Sequence, residues 1–561
     1  MAYVITQACC NDASCVDVCP VNCIHPTPDE PEFATTEMLY IDPQTCIDCG
    51  ACVDECPVDA IFGDNELSEA HAVYADINAA YFEKHPIGDD WPELPEPRHL
   101  PADLGTLRVA IVGSGPSACY AALELTSHPR VEVDMFDRLP TPYGLVRAGV
   151  APDHGGTKAV TDVFRSALSK RSVQCHFNVE VGKHIDHDEL LAHHHAVIYA
   201  VGAASDRRLG VPGEDLPGSH AATEFVAWYN GHPDYADRTF DLSGERAVVI
   251  GNGNVALDVA RALVLDPDEL AKTDMAEHAV EALRHSNIRE VVLVGRRGPA
   301  QAAYTNPELI ALGQLADVDI VVDPDEVVLD SVSRAWIDGP DSEPSEKLKV
   351  RQVEEFAKRT TTDGRKRIVL RYLASPEEII GTDRVEGVRL VHNELVADDS
   401  GKLVARATDR TDTVDTGLVL RSIGYKGLPV AGIPFDERRG VVPNENGRVI
   451  DPDTGAPVPG VYVAGWIKRG PTGVIGTNKH CSAATVDMLL ADFAGGALAQ
   501  PDGDREKLTA LVGERQPDTV DFQGWQRIDK HERALGAESG RARTKLVDLR
   551  AMLDVARTDE S

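Results

Sequence analysis

The chain has 561 residues, 43% of them hydrophobic, with 91 acidic and 55 basic side chains and a formal net charge of −36. That length predicts several globular domains, and the charge argues against nucleic acid as a partner, since phosphates demand a basic surface. No apolar run reaches the roughly 20 residues of a membrane span, so no membrane insertion is expected, and MAYVITQACC lacks the pattern of an export signal, which points to the cytoplasm.

Charge and cysteine are unevenly spread. Residues 1–106 hold 21 acids but only Lys84 and Arg98 as bases. This excess suits either solubility or docking on a basic surface. Nine of the 12 cysteines lie between Cys9 and Cys56, while Cys119, Cys175 and Cys481 are scattered. In a cytosolic chain, such crowding points to metal or cluster ligation before disulfides.

Within residues 1–85, Cys46-x2-Cys49-x2-Cys52-x3-Cys56-Pro57 is a full iron–sulfur run. An upstream copy, Cys9-x2-Asp12-x2-Cys15-x3-Cys19-Pro20, has Asp12 in place of its second cysteine. In two-cluster arrangements the fourth cysteine of each run serves the other cluster. Cys46, Cys49, Cys52 and Cys19 are therefore expected to hold one 4Fe-4S cluster. Cys9, Cys15 and Cys56 are expected to hold the other, with Asp12 at the vacant corner. A hard oxygen ligand holds a fourth iron less firmly than thiolate, which favours 3Fe-4S over a labile 4Fe-4S. Cys10 and Cys23 fall outside the register and are expected as buried thiols, although Cys10 could replace Cys9. The segment resembles the bacterial ferredoxins over Ala2–Phe62, with a helical extension expected at Leu67–Lys84 and a departure at Asp12.

Residues 86–106 carry five prolines among acids. They read as a semi-rigid connector or as a strap packed through Trp91 and Leu94.

Leu107–Val112 is a β-branched apolar run and predicts a buried strand. Gly113-Ser114-Gly115-Pro116-Ser117-Ala118 follows, then a helix, which together begin a dinucleotide-binding βαβ unit. Gly113 permits the tight turn, and Gly115 lets the backbone approach a pyrophosphate seated on the helix N-terminus. The next strand ends in Asp137, where a carboxylate grips a ribose hydroxyl. His193–His195 reads as a solvated turn rather than a metal site, because consecutive side chains diverge.

A second unit starts at Arg246–Ile250, followed by Gly251-Asn252-Gly253-Asn254-Val255-Ala256. Its next strand ends in Arg296 and Arg297. Paired guanidinium groups suit a 2′-phosphate, so NADP(H) is expected over NAD. Residues 320–420 read as antiparallel strands completing this domain. Leu418–Gly424 and Val461–Ala464 read as strands returning to the first domain. The Gly-rich Gly465–Asn478 stretch then leads into a helix whose positive end suits a flavin anion. The amphipathic tail Pro517–Ala556 is expected to pack on the first domain.

With Leu139–Arg147 and Gly149–His154, these motifs resemble the adrenodoxin-reductase-type ferredoxin–NADP reductases from about Leu107 to the C-terminus. The resemblance implies FAD near Ser117, Asp137, Leu145, Val181, Trp466, Gly473, Val474 and Ile475. It implies NADP near Arg207, Arg296, Arg297, Glu308 and Gly473. The family usually carries glutamate at the place of Asp137.

The expected fold class is α/β, with two Rossmann-like dinucleotide-binding domains after a small α+β ferredoxin-like domain. The expected boundaries are residues 1–85 for the two-cluster domain and 86–106 for the connector. FAD-binding parts fall at 107–204 and 421–561, and the NADP-binding domain at 205–420. The expected activity is an NADPH:ferredoxin oxidoreductase with its own ferredoxin fused, serving ferredoxin-type or cytochrome acceptors. The cofactors carry the chemistry, so no catalytic acid or base is expected. The alternatives are a glutamate-synthase small-subunit-like donor and an iron–sulfur redox sensor. Arg147, Lys468 and Arg469 are the basic residues expected to meet the acidic domain.

Overall fold

In the computed structural model the described residues are 2–88, 100, 104–398 and 403–558. Trp91, Leu94 and most of the expected connector lie outside them.

The first large sheet has seven strands, in the spatial order Asn444–Glu445, Arg448–Ile450, Pro457–Val463, Ala196–Tyr199, Leu107–Val112, Val131–Asp137, Val173–Phe177. The last five are parallel. Leu107–Val112 is central and covered on both sides, which explains its unbroken apolar run. Val109 and Ile111 face a core shared with helices Pro116–Leu125 and Thr477–Ala494. Ala110 and Val112 face the opposite core, with Val449 and Val461.

The second sheet has six parallel strands, ordered Ser219–Ala221, Leu418–Arg421, Arg246–Ile250, Glu290–Val294, Lys366–Arg371, Val318–Val322. This corrects the antiparallel expectation for 320–420. Among the described residues of 320–420, only Ala374–Ile380, Gly387–Ala397 and Leu403–Asp415 form an antiparallel sheet. Helices Ser331–Ile337 and Pro344–Phe356 intervene. The second of these buries only Lys349, Val350, Val353 and Phe356, a stripe too thin to stand out in the sequence. Leu418–Arg421 pairs with Arg246–Ile250, so it ends the second domain instead of starting the return. The crossing itself is a two-stranded ribbon, Ser205–Asp206 with Tyr425–Lys426.

His193–His195 is not a solvated turn. His193 closes helix His187–His193, and His194 and His195 are buried. His194 Nε2 lies 3.2 Å from Asp134. His195 Nδ1 accepts the Arg108 N–H at 3.0 Å. Partners on two neighbouring strands, invisible in the sequence, satisfy both rings.

The N-terminal lobe has two small ribbons, Tyr3–Ile5 with Ile61–Gly63 and Ile24–His25 with Tyr40–Ile41. Its longest helix is Val73–Lys84, shorter than the expected extension from Leu67. Buried Asn78 ties this helix to both ribbons. Its Oδ1 accepts the Ile5 and Ile41 N–H groups at 3.2 and 2.9 Å, and its Nδ2 donates to the Ile5 carbonyl at 2.9 Å. No helix of the described residues is long and apolar enough to cross a membrane.

The tail packs on both domains, not on the first alone. Val520 bridges to Phe177 of the first sheet, and Lys545 pairs with Asp274 of the second domain at 3.0 Å. Glu532, fully buried on the tail helix Phe522–Glu538, holds Arg147 at 2.5 Å and Arg543 at 2.9 Å. It also accepts the Leu546 N–H at 2.9 Å. Burial alone would raise its pKa, but Arg147 and Arg543 outweigh that and hold it below the ordinary value. Glu532→Gln strips Arg147 of its carboxylate, leaves Arg543 with Asp529 alone at 2.8 Å, and should cost about 3–5 kcal/mol at neutral pH. A depressed pKa stabilises the fold above the unfolded carboxylate value of about 4.3 and loses that contribution as pH falls through the folded value. The difference in thermal midpoint between variant and wild type should therefore shrink below about pH 4.

Candidate functional site

The cysteines of the N-terminal lobe gather into two cavities. One is lined by Cys9, Cys10, Asp12, Cys15 and Cys56, with Ile5, Leu39, Val58, Ala60 and Ile61. The other is lined by Cys19, Cys23, Cys46, Cys49 and Cys52, with Tyr3, Ile24 and Ile41. Each run thus sends its last cysteine to the other run's cavity. All are free thiols, and burial pushes Cys9 and Cys52 up to about 12. Metal binding reverses such a shift, because a coordinating thiol loses its proton. Four or five sulfurs converging in an apolar cavity fit iron–sulfur chemistry. In the first cavity one Asp12 oxygen accepts the Ser14 hydroxyl at 2.6 Å and lies 4.0 Å from Lys479 Nζ.

In the first βαβ unit, Gly113 has φ +103°, and a Cβ there would stand 2.5 Å from the Ala200 carbonyl oxygen. Gly115 is extended, and Pro116 opens the helix. Asp137 Oδ2 accepts the Ser114 N–H at 2.9 Å and its hydroxyl at 2.5 Å, and Oδ1 accepts the Leu139 N–H at 2.9 Å. A carboxylate oxygen has two lone pairs, so a ribose hydroxyl can still be received. Val179 N–H bonds the Asp137 carbonyl, which brings Val181 beside this strand end. Ser117 Oγ donates to Asn478 Oδ1 at 2.8 Å, joining the nucleotide turn to the C-terminal Gly-rich loop. Val474 N–H bonds Thr477 Oγ1, and the Trp466 indole donates to the Thr472 carbonyl at 3.2 Å. Gly144, just before Leu145, passes close to Gly115. Gly473 is exposed at the tip of the loop. The Gly113–Ser117 turn is thus tied to Asp137 on one side and to the C-terminal Gly-rich loop on the other.

The second unit repeats the turn at Gly251, φ +127°. Asn252 carbonyl accepts the Tyr304 N–H, and Asn254 Oδ1 accepts the Thr305 N–H, both at 2.9 Å. Gly253 caps the following helix in extended form. Arg296 is exposed and Arg297 half-buried, and neither guanidinium has a carboxylate partner among the described residues. Burial and then the neighbouring Arg296 lower the pKa of Arg297. Two adjacent, unneutralised cations at a strand end fit a phosphate. Arg207 is exposed beside Gly424 on the interdomain ribbon.

Glu308 is held by a buried arginine. Its Oε2 receives Arg261 at 2.8 Å and lies 3.7 Å from His154. Buried Arg261 also reaches Asp153 and Asp258, both at 3.1 Å, and His154 Nε2 at 2.7 Å. This node joins the Gly149–His154 loop of the first domain to two helices of the second. Burial pushes Asp258 up to about 6 despite Arg261. Sequence reasoning missed Arg261, since an arginine in an amphipathic helix reads as a solvated face.

The lobe sits directly on both dinucleotide domains. Gly476 N–H donates to the Cys10 carbonyl at 2.7 Å, and Lys479 Nζ donates to Ser14 at 2.8 Å. Glu37 receives Lys349 at 3.1 Å and the Asn306 N–H at 2.7 Å. Glu343 receives Lys84 at 2.6 Å and His85 at 2.8 Å. The basic residues expected for this contact are otherwise employed. Arg147 is held by Glu532, Lys468 by Thr485 at 2.9 Å, and Arg469 by Asn478 at 3.0 Å.

Comparison with known proteins agrees with these parts. Residues 107–296 match the pyridine nucleotide-disulphide oxidoreductase family, and residues 39–62 match the 4Fe-4S binding domain. A probable ferredoxin/ferredoxin–NADP reductase of Mycobacterium leprae is 50% identical across 99% of this chain and 98% of its own length. The chain belongs to the ferredoxin/ferredoxin–NADP reductase family. It is an oxidoreductase, and the family's cofactors are FAD and NADP(H). The NADPH-ferredoxin reductase FprA of M. leprae is 48% identical over 80% of this chain and 98% of its own. The structure of Mycobacterium tuberculosis FprA in complex with NADPH superposes with a TM-score of 0.76, at 46% identity over 81% of this chain and all of that one.

If Arg297 holds the 2′-phosphate of NADPH, Arg297→Ala should cost about 2–3 kcal/mol, roughly 30–150-fold in kcat/KM for NADPH. Turnover with NADH should barely change. Equal losses with both coenzymes would overturn the assignment.

Proposed function

We propose that this reductase carries electrons from NADPH through FAD to two iron–sulfur clusters of its own N-terminal lobe, and from there to ferredoxin-type or cytochrome acceptors. The observation that carries this reading is the seating of the Cys10–Asp12 backbone on Gly476, next to the Gly473–Ile475 flavin loop. Bound FAD would exchange two electrons with a nicotinamide and single electrons with clusters.

The protein's task is then positional. Gly113, Gly115, Ser117, Asp137, Leu145, Val181, Trp466 and Gly473–Ile475 hold FAD. Arg207, Gly251–Asn254, Arg296, Arg297, Glu308 and Gly473 hold NADP. No side chain is assigned as acid or base, and the Arg261 node keeps Glu308 and His154 aligned at the domain junction. Residues 1–85, 205–420 and the two parts 107–204 and 421–561 are the working units, and the cytoplasm is the proposed location.

Cys19, Cys46, Cys49 and Cys52 hold a 4Fe-4S cluster in this reading. Cys9, Cys15 and Cys56 hold a 3Fe-4S cluster. The bond from Ser14 to Asp12 and the nearby Lys479 ammonium support the second assignment, since both compete with iron for the carboxylate. The oxidised protein should then show the EPR signal of a 3Fe-4S centre, and Asp12→Cys should replace it with a centre silent until reduced. An EPR-silent oxidised wild type would overturn it.

Residues 107–561 alone should reduce ferricyanide with NADPH at near the full-length rate. They should reduce cytochrome c poorly, because the clusters are gone. If the truncated protein matched the full chain with cytochrome c, the clusters would be off the electron path.

A further inference from the structure

The two cysteine cavities are not equivalent with respect to the rest of the molecule. Cys10, Val58 and Ala60, which line the Asp12 cavity, belong to the same buried core as Ala118, Tyr120 and Phe164 of the first dinucleotide domain. Cys9 and Cys56 pack against that core, as does Ile475. A Cβ on Gly476 would fall 2.2 Å from the Asn11 carbonyl carbon and the Asp12 nitrogen. The backbone of this loop therefore touches the residue that follows the flavin loop. The second cavity is lined only by residues of the lobe, whose own core also supplies Ile5, Cys15, Leu39 and Ile61 to the first, so only the Asp12 cavity reaches the core of the dinucleotide domain. On its outer side Cys49 is exposed, and the Ile47 beside it is 58% exposed. Asp48 in the same loop and Asp54 on the short helix Ala51–Asp54 that follows are exposed. No lysine or arginine precedes Lys84, and Lys84 is spent on Glu343.

We propose that the Asp12 cavity is the station that receives electrons from the flavin site, and that the Cys19/Cys46/Cys49/Cys52 cavity is the terminal station. Electrons leave through the face around Ile47 and Cys49. The partner is a one-electron redox protein whose own centre is rimmed by lysines and arginines. The order rests on the electron-transfer reading above and deepens it. The stoichiometry closes as one NADPH and two oxidised acceptors giving NADP+, one proton and two reduced acceptors, with each electron passing both stations in turn.

An apolar tip ringed by carboxylates is suited to such a partner. Opposite charge steers the encounter, and the apolar centre excludes water at contact. The Asp12 cavity cannot serve this purpose, because the first domain already covers it.

The test uses the full chain in three forms: wild type, Cys15→Ser and Cys49→Ser. Iron and sulfide analysis establishes which cluster each variant lacks. Rapid-freeze EPR and absorbance then follow cluster reduction after one anaerobic addition of NADPH, with cytochrome c as the basic acceptor. Cys49→Ser should keep fast reduction of the remaining cluster yet lose at least about tenfold in cytochrome c reduction. Cys15→Ser should retain the distal cluster but reduce it at least about tenfold more slowly. Fast reduction of the distal cluster in Cys15→Ser, or undiminished cytochrome c reduction in Cys49→Ser, overturns the order. Should either cluster-loss variant fail to fold, Asp54→Lys, exposed on the same face and outside the cysteine cavity, keeps both clusters. It should leave their reduction by NADPH unchanged while raising the KM for cytochrome c, and an unchanged KM overturns the exit face. Ferricyanide reduction by the wild type reports the underlying reading separately, since its absence sinks NADPH oxidation itself and not the order of stations.

Discussion

The passage of the Cys10–Asp12 backbone across Gly476 is the contact on which the arrangement depends. Two main chains meet there at hydrogen-bond distance, and no side chain fits between them. Close approach of this kind needs glycine, and it fixes the lobe against the helix that follows the flavin loop. Lys479 on the next turn and Phe33 against His480, with ring centroids 4.8 Å apart, hold the same contact from the side. Electron transfer needs no proton relay or nucleophile, so positioning is what the protein can contribute. In this chain a redox partner that would otherwise dock by diffusion is part of the core.

Charge does different work in different places. At the lobe's inner face, single carboxylates meet single cations: Glu37 with Lys349, and Glu343 with Lys84. The second pair, which is the more exposed, selects an orientation more than it stabilises one. Deeper in, Arg261 and Glu532 each collect several opposite charges, and there the removal of one partner is costly because water cannot replace it. The excess of negative charge left on the lobe's outer surface has no internal partner to satisfy.

The two dinucleotide domains are joined by more than their crossing ribbon. The Arg261 node and the tail residues Arg541 and Lys545 link the Gly149–His154 loop, the tail and the second domain. Lys545 is fully buried, and burial lowers its pKa even with Asp274 beside it. This buried charge has value only in the assembled arrangement, so it specifies how the domains sit.

Local chemistry was legible in the chain itself. Strand, glycine turn and helix at Leu107–Leu125 and Arg246–Val264 follow from short-range sterics and apolar runs, and cysteine spacing states its own purpose. The lack of an acid after Glu290–Val294 and the presence of Arg296 and Arg297 are likewise local. What needed the tertiary structure was every feature set by residues far apart. Nothing adjacent to His194 announces Asp134, and nothing near Arg261 announces Asp153. The helix Pro344–Phe356 has a thin buried stripe because its other faces meet the lobe and solvent. The lobe's seat on Gly476 joins residues more than 460 positions apart. Sequence determined which cofactors this chain is built for, because ligand type and turn geometry are encoded within a few residues. Only the tertiary structure decided which cysteine cavity packs against the first dinucleotide domain, because that depends on packing between surfaces that no local pattern describes.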